Sequence, residues 1–296
     1  MGMKLIIGAN GRIGREVVAN LLTTADDGVR VLVRDAGAAA ARFGERVEVM
    51  SGDLDQPETV VAAMNDVDAV LLCSPVHPQQ VRQHNGVIDA AKRNGKPYVV
   101  KISGLATYPG SFVDSGRWHA ETEHYLASSG LPYTCLHPYF FMQNLTFQLP
   151  LVLKSGQLRS AVAQAAIAMV DVADIAQAAG RLLADPALAP GQTLPLTSAE
   201  PLSYPRMAEI MSDVLGRDVA YQQQSLQQVE QNLKKAGQPD WHVKLVLQFN
   251  RAFNEGLASE AHPALSRLLN RPPTTFAEFV QRMEFSELGR NPFPSE

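Results

Sequence analysis

Residues 4–22, KLIIGANGRIGREVVANLL, constrain this chain more than any other stretch. Leu5, Ile6 and Ile7 form a short apolar run, with the length and β-branching of a strand buried in a parallel sheet. Gly8, Gly11 and Gly14 then mark a tight turn. Ile13, Val17, Val18, Leu21 and Leu22 recur at helical spacing directly after it. Strand, glycine turn and helix form the context in which a dinucleotide fingerprint carries weight. Gly8 permits the tight turn, Gly11 permits backbone approach to a pyrophosphate, and Gly14 permits the helix to pack on the strand. The first helical turn offers free N–H groups and a partial positive charge to phosphates. The spacing is GxxGxxG rather than GxGxxG, and a plain glycine-rich βα turn is the competing reading. The flanking strand and helix weigh against it. The candidate contacts in this turn are Gly8, Asn10, Gly11, Arg12, Ile13 and Gly14.

A second apolar run, Val29–Val33, ends in Arg34 and Asp35. In doubly wound folds the residue closing this strand meets the adenosine ribose. An acid there bonds the 2′-hydroxyl of NAD, and an arginine accommodates the 2′-phosphate of NADP. Arg34 comes first and Arg12 lies in the glycine turn, so NADP(H) is expected ahead of NAD(H). The alternative is that Arg34 is solvated and Asp35 reads the ribose.

The alternation continues. Val47–Met50, Ala69–Cys73, Tyr98–Ile102 and Tyr133–Leu136 read as further strands, separated by helical patterns over Pro57–Met64, Gln79–Asn94 and Gly116–Ser128. Alternating strands and helices predict an α/β fold, a Rossmann-type doubly wound parallel sheet covered on both faces. Ligands of such sheets sit beyond the carboxyl ends of the strands. That rule adds Asp53, Leu54, Ser74, Pro75, Ser103, Pro138, Tyr139 and Phe141 to the cofactor candidates. Further on, Ile167–Asp171 reads as a strand, Val172–Leu183 as a helix capped by Asp171, and Thr193–Thr197 as a late edge strand. Beyond Pro201 the pattern is mostly helical, with residues 216–219 turning into a short strand. Gln222–Gln231 reads as a solvated helix face. Trp241, Leu245, Phe249 and Phe253 form a stripe at four-residue spacing, a pattern of core or pocket wall. The expected organisation is a dinucleotide-binding domain over 1–198 and a smaller, mostly helical C-terminal substrate lid over 199–296.

Charge and composition narrow the function classes. The net charge is −4 and no Lys/Arg run stands out, which argues against direct nucleic-acid binding. No apolar stretch reaches the ~18 residues of a membrane span. The chain leads straight into its first strand, which leaves no room for a secretory signal. Cys73 and Cys135, the two cysteines, lie in apolar strand patterns and read as core residues of a reducing, cytoplasmic compartment. No His/Cys/Asp/Glu spacing suggests a metal.

GANGRIG at 8–14, GDLD at 52–55, SGLPYT at 129–134, HPYFFMQN at 137–144, VDVADIA at 170–176 and GRDV at 216–219 resemble, in order and spacing, the NmrA-like family of atypical short-chain dehydrogenases. That family includes bacterial NAD(P)H-binding quinone reductases and related regulators. Its usual pattern after the sixth strand begins with arginine; here His137 stands in that place, while Pro138, Phe141, Met142 and Asn144 match. The resemblance implies a Rossmann domain with a small C-terminal lid, and NADP(H) as cofactor.

Ordinary short-chain dehydrogenases use a Tyr-xxx-Lys pair. Tyr98 and Lys101 are one residue too close for it and would point to opposite faces of a strand, and no other tyrosine is followed four residues on by lysine. The resemblance points instead to His119 as acid/base, at a position where relatives hold lysine or histidine beside the nicotinamide. A histidine that titrates near neutrality suits that task. Glu123, four residues on, is expected to orient it. His77, His84 and His242 are isolated in sequence and receive no role. Tyr139, Phe140 and Phe141 offer flat apolar surface for a planar substrate, though three successive side chains cannot all face one site. The expectation is an NADP(H)-dependent oxidoreductase acting on a small planar carbonyl or quinone-like compound. The alternative is a non-catalytic NADP(H) sensor that works through a protein partner. A homodimer is compatible with either.

Overall fold

The computed structural model describes residues 2–23 and 28–283. The described residues group into two compact units, one formed by 2–23, 28–138, 172–196 and 264–271, the other by 139–171, 197–263 and 272–283.

In the first unit the strands are β1 (Met3–Ile7), β2 (Val29–Val33), β3 (Glu48–Ser51), β4 (Val67–Leu72), β5 (Tyr98–Ile102) and β6 (Tyr133–Pro138). Between them lie α1 (Arg12–Thr23), α2 (Ala36–Phe43), α3 (Pro57–Ala63), α4 (Gln80–Arg93) and α5 (Asp114–Ala127). Thr193–Leu196 adds a seventh strand beside β6, where an edge strand was expected. The sheet runs from this edge through β6, β5, β4, β1 and β2 to β3, and every pairing is parallel. The winding direction reverses between β1 and β4, which makes that point the topological switch of the sheet.

Burial explains the apolar runs. Leu5, Ile6, Val31, Val70, Leu71, Leu72 and Val100 are fully buried, as strands covered by helices on both faces must be. Three cations break the pattern, and each has partners. Arg30 donates to the carbonyls of Ala63 and Asn65 and pairs with Glu48 at 3.0 Å. Lys4 reaches the Gly2 carbonyl. Lys101 lies within the site described below.

The sequence pattern did not reveal α2. Its AGAAAARF segment has high helix propensity but no apolar period, and Asp35 caps it by accepting from the Ala38 N–H at 2.9 Å. β6 runs two residues past its expected end, so His137 and Pro138 are strand residues.

The linear boundary expected at 198 meets an interleaved chain. The helix Ala264–Leu269 and Arg271 group with the first unit, where Arg271 pairs at 2.6 Å with the buried Asp174 of the helix Val172–Ala184. A buried carboxylate needs such a partner.

The second unit is mostly helical, with Leu149–Ser155, Tyr204–Leu215, Leu226–Lys235, Asp240–Asn254 and Phe276–Arg282. It has two small parallel pairs, Gln157–Ser160 with Ala220–Gln223 and Phe140–Phe141 with Met169–Val170. The strand expected over 167–171 is therefore reduced to Met169–Val170 and lies outside the main sheet. The glutamine-rich stretch splits: Gln222 and Gln223 end a strand, and the helix Leu226–Lys235 that follows buries no residue, as a solvated face requires. The aromatic stripe also splits, with Leu245 and Phe253 buried and Trp241 and Phe249 half-buried. Among the described residues no helix is long and apolar enough to cross a membrane.

Candidate functional site

The glycine turn joins β1 to α1 at the switch point of the sheet. Gly8 has φ +81°, and a Cβ there would sit 2.1 Å from the Cys73 carbonyl oxygen, so only glycine fits. A Cβ on Gly14 would sit 2.2 Å from the Gly8 carbonyl oxygen, so this glycine lets α1 start against the turn. Gly11 is exposed, donates to the Gly8 carbonyl at 2.9 Å and accepts from the Arg15 N–H as α1 begins. The next N–H groups lie in the first turn of the helix, where no residue four positions earlier is helical. Asn10 accepts from Arg42 of α2 at 3.2 Å. Ile13 is buried, so its side chain serves the core and only its backbone faces the turn.

Around this turn the strand ends contribute unequally. Arg34 is exposed at the end of β2, while the carboxylate of Asp35 is engaged as the cap of α2. Asp53 folds back on the Asp55 N–H at 2.9 Å, and Leu54 packs against the core rather than offering a free surface. Ser74, after β4, bonds Nε2 of His84 at 2.7 Å. His84 is thus not isolated, as its sequence context suggested, but fully buried and paired, and burial followed by the charge of Lys101 holds it neutral.

Beyond β5 lies a buried polar cluster. The Lys101 side chain is fully buried and donates to Ser103 Oγ at 2.6 Å and to His119 Nδ1 at 3.0 Å. Gln80 of α4 donates to the same Nδ1 at 2.8 Å. Ser103 donates to Glu123 Oε1, which also accepts from His137 Nε2 at 2.7 Å. The cluster therefore draws on α4, β5, α5 and β6.

The electrostatics follow from burial. Desolvation brings the Lys101 ammonium down to about 8, against the opposing pull of Glu123 and the two cysteine thiols. His119 is pushed well below the usual histidine range, by burial first and then by the charge of Lys101. Glu123 goes the other way: burial works to raise it, but His137, Lys101 and Ser103 together hold it below the usual carboxylate range.

Two expectations need correction. His119 does not titrate near neutrality, because it is 5% exposed and lies beside a cation. Glu123 does not orient His119 directly; it reaches that ring through Ser103 and Lys101. Ser103, expected against the cofactor, has its hydroxyl committed inside this cluster. The residue passed over was Lys101. Its signal was a lone lysine inside the apolar strand YVVKI, where an unpaired charge would be costly.

Pro138 ends β6 in the first unit, while Tyr139 and Phe141 belong to the second. There Tyr139 bonds His262 at 3.1 Å, and Phe140 meets Phe253 edge-on at 5.2 Å. Among the described residues no cluster of potential metal ligands occurs.

The NmrA-like family model matches residues 3–280. An NAD(P)H azoreductase from Xenophilus azovorans is 32% identical over 279 residues, covering 94% of this chain and 97% of the relative. Quinone oxidoreductase 2 from Escherichia coli is 29% identical over 285 residues, covering 95% and 98%. A crystal structure of the NADPH-dependent quinone oxidoreductase QOR2 from Escherichia coli, complexed with NADPH, superposes with a TM-score of 0.86 at 28% identity, covering 95% of this chain and 99% of that one.

Proposed function

The chain belongs to the NmrA-like family, and on that premise we propose that it is an NADP(H)-dependent reductase of small planar carbonyl or quinone-like compounds. The observation that carries the proposal is the glycine turn at the switch point, with Arg34 exposed beside it and Asp35 occupied as a helix cap. Phosphate is best held by the N–H groups of a helix's first turn and by planar guanidinium groups, and the glycine turn and Arg34 offer both kinds. Relatives whose names specify NAD(P)H or NADPH span nearly the whole chain and support the same cofactor.

The residues of this fold divide the work. Gly8, Asn10, Gly11, Arg12 and the start of α1 hold the pyrophosphate. Arg34 grips the 2′-phosphate, and Arg42, which bonds Asn10, stands near the turn. Ser74 and Pro75 flank the cofactor at the end of β4. When bound, the nicotinamide supplies hydride. The polar cluster around His119 serves the proton that a reduced acceptor must take up. His119 is the acid/base of this reading, and Glu123 supports it through Ser103 and Lys101. The partner is a small molecule rather than nucleic acid or membrane, and the setting is cytoplasmic.

The test is NADPH oxidation against a panel of quinones and carbonyls, with NADPH and NADH affinities measured by titration. Turnover of roughly 1 s⁻¹ or more on some acceptor supports the reading. Tight NADPH binding without turnover replaces it with a sensor. Absence of NADPH binding overturns both.

A further inference from the structure

Resting on the reductase reading, we infer that Lys101 is the proton reservoir of the site. Its ammonium recharges the His119 ring at Nδ1 as that ring releases a proton from Nε2. Lys101 acts through His119 and is therefore a positioning residue.

The geometry carries the argument. An ammonium has only protons to offer, so the 3.0 Å contact makes His119 Nδ1 an acceptor. A ring nitrogen that accepts from an ammonium carries no proton, so neutral His119 holds its one proton on Nε2. Charging the ring would place a second cation against Lys101 in a buried site. A lone neutral imidazole that gave up its Nε2 proton would become an anion, which is worse. Concerted transfer from Lys101 avoids both states.

The proton balance closes. An acceptor that has taken hydride receives the Nε2 proton of His119, and Nδ1 takes one proton from the Lys101 ammonium. The products of the step are a neutral ring protonated at Nδ1 and a neutral amine. Reset requires one proton from water at Nε2 and return of the Nδ1 proton to Lys101. The Glu123 carboxylate, linked to Lys101 through Ser103, favours the ammonium form in the resting state.

Cys73, Cys135, His84 and Glu123, which surround Lys101, hold still across the working range. Cys73 at the end of β4 and Cys135 of β6 are pushed up by burial, Cys73 to about 12. His84 of α4 is held neutral by burial, and Glu123 of α5 is held anionic, chiefly by His137. His137 of β6 meets the cluster through its bond to Glu123. Lys101, brought down to about 8 by burial, is thus placed to control the alkaline limb.

The first measurement needs no cofactor. Nitrogen-15 NMR of the histidine-labelled protein, assigned with His119→Gln, should show His119 protonated at Nε2 and bare at Nδ1 at pH 7. A proton found at Nδ1 overturns the proposal. The second compares two acceptors with NADPH: 1,4-benzoquinone, whose reduced oxygen takes a proton from water, and the azo dye methyl red, whose reduced nitrogen needs one delivered. With methyl red the parent rate should fall as pH rises through about 8. Lys101→Met should lose that fall and slow methyl red reduction ~10²-fold at pH 7, with a smaller loss on the quinone. Equal loss on both acceptors, or an alkaline limb that survives in Lys101→Met, overturns the proposal. If Lys101→Met does not fold, the NMR result and the parent pH profile decide. A parent that binds no NADPH and reduces neither acceptor refutes the reductase reading, which is distinguishable from a failure at Lys101 alone.

Discussion

The glycine turn and the Lys101 cluster belong to the same compact unit but are built in opposite ways. The turn is backbone: Gly8, Gly11 and Gly14 are there for what they lack, and its residues lie within seven positions of one another. The cluster is side chain: the bond from Gln80 to His119 spans 39 residues and the bond from Lys101 spans 18. The turn is exposed at Gly11, whereas Lys101 is fully buried. A site of the first kind binds through donors that folding orients without any choice of side chain. A site of the second kind tunes protons, because burial shifts the ionisation of every group in it. The difference predicts that binding and turnover separate on mutation.

The largest effect should come from the turn. Gly11→Val places a branched side chain where a pyrophosphate must approach, and its Cβ also lies 3.2 Å from the Gly8 carbonyl oxygen. NADPH affinity should fall by at least ~10²-fold while the protein stays folded and the His119 ring keeps its tautomer. Undiminished affinity by calorimetry on a folded variant would show that the turn does not bind the pyrophosphate.

His119→Ala should do the reverse. On a substrate that needs a delivered proton, kcat should drop ~10²-fold or more, with the NADPH dissociation constant nearly unchanged. Parent rates on every acceptor would reduce His119 to a helix residue and erase the contrast.

Stability should report the cluster next. Lys101 is brought from 10.5 to about 8 on folding, so between those values the unfolded chain binds a proton that the native one does not. Stability from this group therefore rises as pH rises through about 8 and towards 10.5, by roughly 3 kcal/mol at most. Cys73, raised from 9.0 to about 12, works in the opposite direction above pH 9. The clean measurement is the difference in urea unfolding between parent and Lys101→Met from pH 7 to 9. The parent should gain relative to the variant, and parallel curves would mean that the lysine is not held in the desolvated state described.

The smallest effect concerns selectivity at the rim of the turn. Arg34→Ala should weaken NADPH about tenfold or more and leave NADH nearly unchanged, since charge-assisted hydrogen bonds contribute ~1.5–3 kcal/mol. Titration that finds equal affinities for the two cofactors in the parent would assign the ribose to another group.

The same division governs what could be read before the fold was known. The strand, turn and helix over 4–22 were legible because local steric rules specify them: apolar period, positive φ at Gly8, close packing at Gly14. The parallel sheet followed from the repetition of that unit, and the late edge strand Thr193–Leu196 lies where its pattern placed it. α2 escaped notice because alanine-rich segments form helices without an apolar stripe. The interleaving of the two units was hidden as well. Nothing near Arg271 in sequence indicates that its partner is the buried Asp174.

The amino-acid sequence by itself determined the doubly wound sheet, the glycine turn and the place of Arg34, because each depends on neighbours a few residues away. It also placed His119 and Glu123 on one helix. Only the tertiary structure decided what those side chains do. Sheet order brings β5 between β4 and β6 and sets Lys101, His119, Glu123 and His137 within bonding distance of one another or of Ser103. Burial then turns a histidine expected to titrate near neutrality into a neutral ring, and a lysine outside any recognised motif into its hydrogen-bond donor. Ionisation depends on solvent exclusion and on charges distant in sequence, and neither exists until the chain has folded.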